Sequence, residues 1–276
     1  MGKRIFSTVA LWVTVGSALW FFRTTGALVL IGLVSVLTLR EFYALMRASG
    51  YDPFDKLGLC FGALITLSPW LETLCSCPTA LLLPLAVIVF ALRLLGERTP
   101  DTRVESLAST LFGLVYVAVM LKYLTAIVTP LPGDTVSADG RLLLCLWIIA
   151  VVKFCDTGAL LTGMAIGKHK MSPVISPKKT WEGAVGGVVV AMGVGALIAW
   201  LARGVFPPHL TPLMAALMAA PIAIIGIVAD LVESVLKRRA NMKDSGATIP
   251  GIGGMFDLSD SIILVAPIGY YFFRLP

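Results

Sequence analysis

The chain has 276 residues, of which 58% are hydrophobic and only 14% are charged, and its formal net charge is +6. Soluble domains contain about 25% charged residues, so this chain has too few charged side chains to cover a water-facing surface. The composition excludes a soluble globular domain, a disordered chain and a collagen-like repeat, and it predicts an integral membrane protein.

Nine apolar stretches are candidate membrane spans, because a helix needs roughly 20 mostly apolar residues to cross the hydrocarbon core. In chain order they are 5–22, 25–46, 57–73, 79–96, 106–130, 142–165, 183–202, 212–235 and 253–273. No strand pattern is present. We therefore expect an all-α fold, a polytopic membrane helix bundle with about nine transmembrane helices.

The basic residues predict the orientation of these spans, since cytoplasmic loops are enriched in Lys and Arg. If the N-terminus is cytoplasmic, sixteen of the 22 Lys and Arg residues fall on the cytoplasmic side. This asymmetry predicts an N-terminus inside and a C-terminus outside.

Span seven contains a stripe of small residues at every fourth position, namely Gly183, Gly187, Ala191 and Gly195. Small side chains allow a second helix to approach closely. We expect helix packing along this stripe, and an alternative is that it holds a lipid chain.

Five acidic residues lie within or at the ends of the last spans, where an ionised side chain costs several kcal/mol unless it is paired or faces a polar cavity. They are Asp156, Asp230, Glu233, Asp257 and Asp260. Two pairs among them are spaced by three residues, so each pair shares one helix face. Carboxylates grouped in this way suit Mg²⁺. Alternatively, Glu233 pairs with Lys237 and Asp156 with Lys153.

Two basic loops adjoin these acids. Residues 168–182 and residues 237–251 each contain four Lys or Arg residues. Basic runs beside a membrane commonly contact anionic headgroups, but next to intramembrane carboxylates they favour a combined site for a metal and several phosphates. The Walker A spacing is absent, and the two histidines are too far apart in sequence for a histidine metal site.

The stretch 234–260, SVLKRRANMKDSGATIPGIGGMFDLSD, resembles the signature of the CDP-diacylglycerol synthases, also called phosphatidate cytidylyltransferases. Eleven positions match: Ser234, Lys237, Arg238, Lys243, Asp244, Gly246, Pro250, Gly253, Gly254, Asp257 and Asp260. Two further segments are similar to segments that precede the signature: residues 155–187, which contain DTGA and SPKKTWEG, and residues 229–234. Three positions depart from it: Ile252, Leu258 and Ser259.

The resemblance implies transfer of CMP from CTP to phosphatidate, which forms CDP-diacylglycerol and pyrophosphate. It implies Asp230 and Asp257 as the leading Mg²⁺ ligands, and it leaves a second, monovalent cation open. Further ligands or catalytic groups are Asp260, Asp244 and Asp156, and phosphate-binding residues are Lys178, Lys179, Lys237, Arg238 and Lys243. Ser176 and Ser234 would donate hydrogen bonds, and the backbone of Gly253 and Gly254 would lie against phosphate at a helix start.

The same resemblance implies a homodimer in a bacterial inner membrane, with the active site facing the cytoplasm and no nucleic-acid partner. We expect a catalytic region at residues 141–276. Residues 1–140 would form a lipid entrance or a dimer contact. Two alternatives remain: an ion-coupled transporter that uses the intramembrane aspartates, and another CTP-dependent lipid transferase or kinase.

Overall fold

The computed structural model describes residues 2–75, 78–96, 103–130, 136–249 and 253–274, and the side chains of residues 2–9, 11 and 12 are not described. Part of the predicted phosphate turn, residues 250–252, therefore lies outside the described residues.

In the described part of the chain ten α-helical elements follow one another. The bounds of the first six are α1 Gly2–Ala48, α2 Asp55–Thr66, α3 Ser68–Cys75, α4 Leu82–Leu95, α5 Arg103–Gly113 and α6 Met120–Val128. A 3₁₀ turn, Thr79–Leu81, precedes α4, and a π-helical segment, Leu114–Val119, joins α5 to α6. The remaining helices are α7 Ala138–Ile166, α8 Trp181–Leu201, α9 Pro212–Arg239 and α10 Met255–Arg274. These helices confirm the predicted all-α polytopic class.

The number of spans differs from the predicted nine. Among the described residues, six helices are long and apolar enough to cross a membrane, or seven if α2 and α3, bent by 66°, count as one span. The predicted break between 22 and 25 is confirmed, because two helical parts of α1 meet there across a kink at Arg23, where the backbone has the non-helical angles φ 43° and ψ −122°. The predicted span 79–96 is an apolar helix of fewer than 18 residues, Thr79–Leu95, which is short for a bilayer crossing.

The chain divides into two compact units. The first unit is Met1–Thr129 with Leu236–Ser259, and the second unit is Pro130–Val235 with Asp260–Pro276. The first change of unit falls between residues 129 and 130, and the boundary at residue 140 stays a prediction. The segment 236–259, which carries most of the family-like signature, belongs to the unit of the N-terminal helices.

Aromatic side chains form the core of the first unit. The Phe42 ring lies 5.5 Å from Phe112 and 6.0 Å from Phe256 between centroids, and the Phe112 and Tyr116 rings are 5.4 Å apart. Phe42 and Phe256 are fully buried. The contact of Phe42 with Phe256 is edge-to-face, an arrangement that stabilises beyond the area it buries, so it fixes the first turn of α10 against α1.

Close packing of α7 and α8 forms part of the core of the second unit. The buried residues of α8 include the whole predicted stripe, Gly183, Gly187, Ala191 and Gly195. A Cβ on Gly187 would lie 2.7 Å from the carbonyl oxygen of Cys155 in α7, and the indole N–H of Trp147 donates to the carbonyl oxygen of Gly195 at 3.0 Å. The prediction that the stripe packs against a helix is confirmed.

A small antiparallel hairpin stands where no strand was predicted. Its strands are β1 Lys170–Ser172 and β2 Ser176–Thr180, with Lys170 opposite Thr180. The polar sequence of this segment gives no alternation of apolar and polar residues, which is the signal for a strand. At its end, the Thr180 hydroxyl accepts a hydrogen bond from Gly183 N at 3.1 Å and caps α8, as Thr does at helix N-termini.

Candidate active site

Three carboxylates meet in the second unit, and we name them the acidic cluster: Asp230, Glu233 and Asp260. One oxygen from each lies within 4.8 Å of the others. Asp230 and Glu233 come from one face of α9, as their spacing predicted, and Asp260 comes from α10. Glu233 and Asp260 are buried, and Asp260 accepts hydrogen bonds from the backbone and hydroxyl of Ser261 at 2.6 and 2.9 Å.

Two lysines lie beside the acidic cluster. Lys179 Nζ is 2.6 Å from Asp230 Oδ2, and Lys153 Nζ is 3.7 Å from Asp156 Oδ2, so the predicted alternative pair within α7 is present. The charges of Asp230 and Lys179 act on Asp156 as well. With all groups ionised, these four carboxylates and two lysines carry a formal charge of −2 between them.

The hairpin explains which lysine reaches the acidic cluster. Successive side chains of a strand point to opposite faces, and Lys178 and Lys179 are neighbours in β2. Lys178 is exposed, whereas Lys179 is half-buried and contacts Asp230. The two lysines therefore differ in role, although the sequence placed them together as phosphate-binding residues.

The predicted metal ligand Asp257 lies in the first unit, where it is held by protein donors. Its Oδ1 is 3.1 Å from Lys237 Nζ, and its two oxygens each lie 3.2 Å from Ser245 N. Gly254 N donates to Oδ2 at 2.9 Å. Lys237 arrives from α9, so this ion pair joins residues 20 apart in sequence. A separation of 20 residues is not a helical spacing, so the sequence pattern does not indicate this pair.

The glycine pair ahead of α10 uses its amides inside the protein. Gly253 N donates to the carbonyl oxygen of Ile249 at 3.1 Å, and Gly254 N donates to Asp257. Gly253 has φ +131°, a conformation that side chains other than glycine rarely adopt. The structure thus gives these two amides a different acceptor from the predicted phosphate.

The other predicted site residues are spread over the two units. In the second unit, Ser176 begins β2 opposite Ser172, and Ser234 is half-buried in α9. In the first unit, Arg238, Lys243 and Asp244 are exposed. Their roles stay predictions.

Sequence reasoning missed an acidic residue of the N-terminal half, Glu41 of α1. It is 6% exposed and contacts Ser245 and Thr248, which belong to the segment between α9 and α10. Glu41 lies inside the predicted span 25–46, so the test applied to the later acids, an ionisable residue inside a span, identifies it too.

One departure from the signature has a structural explanation. The Ser259 hydroxyl lies 2.8 Å from the hydroxyl of Thr38 in α1, and it donates to the Met255 carbonyl oxygen at 2.9 Å. Both side chains are buried. A hydrophobic residue at this position would leave the Thr38 hydroxyl without this partner, so the two polar residues belong together. The structure does not explain Leu258.

Comparison with known proteins gives a consistent result. The sequence model of the cytidylyltransferase family matches residues 2–275. A phosphatidate cytidylyltransferase of Synechocystis is 31% identical over 92% of this chain and 88% of its own length. One of Thermotoga maritima is 29% identical over 89% and 88%, and one of Bacillus subtilis is 39% identical over 45% of each chain.

Proposed function

Because the chain belongs to the cytidylyltransferase family, we propose that this membrane protein is a phosphatidate cytidylyltransferase, as its relatives are named. It transfers CMP from CTP to phosphatidate and so forms CDP-diacylglycerol. An oxygen of the phosphatidate phosphate attacks the α-phosphorus of CTP. The bond from that phosphorus to the α–β bridging oxygen breaks, and pyrophosphate leaves with the electron pair.

The acidic cluster is the observation that carries the proposal for a metal. Its donors are carboxylate oxygens, which Mg²⁺ prefers. One oxygen from each of the three residues lies within 4.8 Å of the other two, so the three carboxylates would be able to hold one ion together. We assign Asp230, Glu233 and Asp260 to the ion, whereas Asp156, Asp244 and Asp257 stay predicted ligands. When bound, the ion supplies charge neutralisation at the reacting phosphates.

Lys179 is the group best placed to carry positive charge to the nucleotide in this unit. Its side chain is half-buried, with the ammonium nitrogen buried against Asp230, and the β-strand holds it on the face opposite to Lys178. A lysine is a compact charge that binds phosphate. We infer that Lys179 compensates Asp230 and that it binds a phosphate oxygen of CTP in the reacting complex.

No protein nucleophile is required, because the lipid phosphate itself attacks. The protein has to bring two polyanions together and stabilise the charge that builds up on the leaving pyrophosphate. We place the reaction at the cytoplasmic face of a bacterial inner membrane, as the resemblance implies. A homodimer is proposed on the resemblance alone.

The test uses the full-length protein in detergent with phosphatidate, Mg²⁺ and CTP labelled at either the α- or the γ-phosphorus. We expect lipid-soluble label from α-labelled CTP only, together with release of pyrophosphate. Label from γ-labelled CTP would identify a lipid kinase. No lipid product from either nucleotide, with phosphatidate or with the other acceptors named below, would refute a CTP-dependent lipid enzyme.

A second arm of the experiment tests the lipid acceptor. Phosphatidate is replaced by diacylglycerol or by a polyprenyl phosphate at equal concentration. We expect product with phosphatidate and less than about a tenth of that rate with either alternative. Diacylglycerol lacks the attacking phosphate, and phosphatidate rather than a polyprenyl phosphate is the acceptor in the names of the relatives. A higher rate with the polyprenyl phosphate would overturn the substrate assignment and keep the chemistry.

A further inference from the structure

The carboxylate of Glu41 lies against the first turn of α10. Its Oε2 accepts hydrogen bonds from Phe256 N at 2.8 Å and from the Ser245 hydroxyl at 3.1 Å. Its Oε1 accepts from the Thr248 hydroxyl. Glu41 is buried, and all four residues belong to the first unit. One side chain of α1 thus receives three donors from the segment that resembles the family signature.

These bonds replace the usual cap of α10. The first N–H groups of a helix need acceptors outside the helix, and a Ser, Thr, Asp or Asn at the cap commonly supplies one. Here the residue before α10 is Gly254, which has no side chain. Glu41 accepts from Phe256 N instead, and the Ser245 hydroxyl accepts from Asp257 N at 3.3 Å. The helix dipole also favours a carboxylate at this end.

The same residues hold the Asp257 carboxylate. Ser245 N and Gly254 N donate to its oxygens at 3.2 and 2.9 Å. Ser245 is therefore bonded to Asp257 through its amide and to Glu41 through its hydroxyl. A shift of the Glu41 carboxylate moves Ser245 and the start of α10 together, and both carry groups that orient Asp257.

Two signature glycines provide the space for the Glu41 carboxylate. A Cβ on Gly246 would lie 2.5 Å from Glu41 Oε1, and a Cβ on Gly254 would collide with Glu41 Oε2 and with the Ser245 hydroxyl. Real Cβ atoms do not approach other atoms so closely. The Glu41 carboxylate can therefore occupy its observed position only with glycine at both residues.

We propose that Glu41 is a positioning residue for the transfer reaction: from the N-terminal helix α1 it holds the turn at Ser245 and the start of α10, and it thereby orients Asp257. This inference rests on the proposed function, because the role of Asp257 is measured as turnover. Glu41 itself is buried among protein donors and makes its contribution through Asp257.

Glu41→Gln tests the proposal, because it keeps the shape of the side chain but leaves one acceptor oxygen for three donors. We expect kcat to fall about 10- to 100-fold, because small misplacements of reacting groups lower rates by such factors. The KM for CTP should stay within about threefold of the wild-type value. The matched control is Glu105→Gln, which removes the same charge from an exposed site in α5. It should leave kcat unchanged.

The outcomes separate the two hypotheses. If the wild type makes no lipid-linked CMP, the proposed function fails. If the wild type is active and the kcat of Glu41→Gln is within twofold of the wild-type kcat, only the positioning role fails. The positioning role also fails if Glu41→Gln lowers thermal stability but leaves kcat unchanged. Should Glu41→Gln not fold, Ser245→Ala removes the hydroxyl between Glu41 and Asp257 N. A wild-type kcat in folded Ser245→Ala overturns the proposal.

Discussion

Asp260→Asn is the sharpest test of the acidic cluster. Asp260 Oδ1 accepts two hydrogen bonds from Ser261. The amide oxygen of an introduced asparagine can accept both bonds in place of Oδ1, and the amide nitrogen then takes the place of Oδ2. An amide nitrogen donates hydrogen bonds and is not a ligand for Mg²⁺. The variant therefore keeps both hydrogen bonds to Ser261 and removes the negative charge of one of the three carboxylates.

The magnitude follows from linkage between binding and stability. A ligand at 100 times its Kd stabilises the folded state by about 2.7 kcal/mol. For a chain of this size each kcal/mol raises Tm by roughly 2–4 °C, so saturating Mg²⁺ should raise the Tm of the wild type by about 5–10 °C. We expect most of that rise to disappear in Asp260→Asn, and kcat to fall about 10²- to 10³-fold.

The assay is thermal unfolding in detergent with and without Mg²⁺ alone, followed by labelled-CTP turnover over a range of Mg²⁺ concentrations. Asp139→Asn is the control, since Asp139 is exposed at the start of α7, about 26 Å along the helix from Asp156 at 1.5 Å per residue. A Mg²⁺-dependent rise in the Tm of Asp260→Asn equal to that of the wild type would refute the assignment of the ion to this cluster.

Two further sets of variants test the lysine beside the acidic cluster and the buried hydroxyl pair of the first unit. Lys179→Met removes the ammonium beside Asp230. We expect the KM for CTP to rise about tenfold or more, because one charge-assisted contact with phosphate is lost, while the Mg²⁺-dependent rise in Tm persists. An unchanged KM would contradict the phosphate role. Thr38→Val and Ser259→Ala each break the same buried hydroxyl pair, so each should lower the free energy of unfolding by about 0.5–1.5 kcal/mol. If the double variant loses as much unfolding free energy as the two single variants together, the two hydroxyls do not interact.

The sequence predicted the class of the protein because membrane spans depend on local composition. A run of apolar residues has to satisfy its backbone internally, and a helix does so without reference to the rest of the chain. The pairing of Asp230 with Glu233 was predictable for a similar reason, since residues three apart share a helix face. The Gly183 stripe follows the same periodicity, and it packs as predicted.

Prediction from sequence failed where a contact joins residues far apart in the chain. The ion pair of Lys237 with Asp257 and the contact of Glu41 with Ser245 join residues 20 and 204 apart. No periodic pattern encodes such pairs. The hairpin was missed as well, because its strands are short and polar and its pairing depends on backbone hydrogen bonds.

The shortage of charged residues by itself determined that this is a membrane protein, and the spacing of its acids determined which carboxylates could share a helix face. Only the tertiary structure decided that Lys179 rather than Lys178 meets Asp230, that Asp260 joins Asp230 and Glu233, and that α1 supplies the cap of α10. The physical reason is that burying a charge is tolerated only beside suitable partners, and the fold determines which partners arrive.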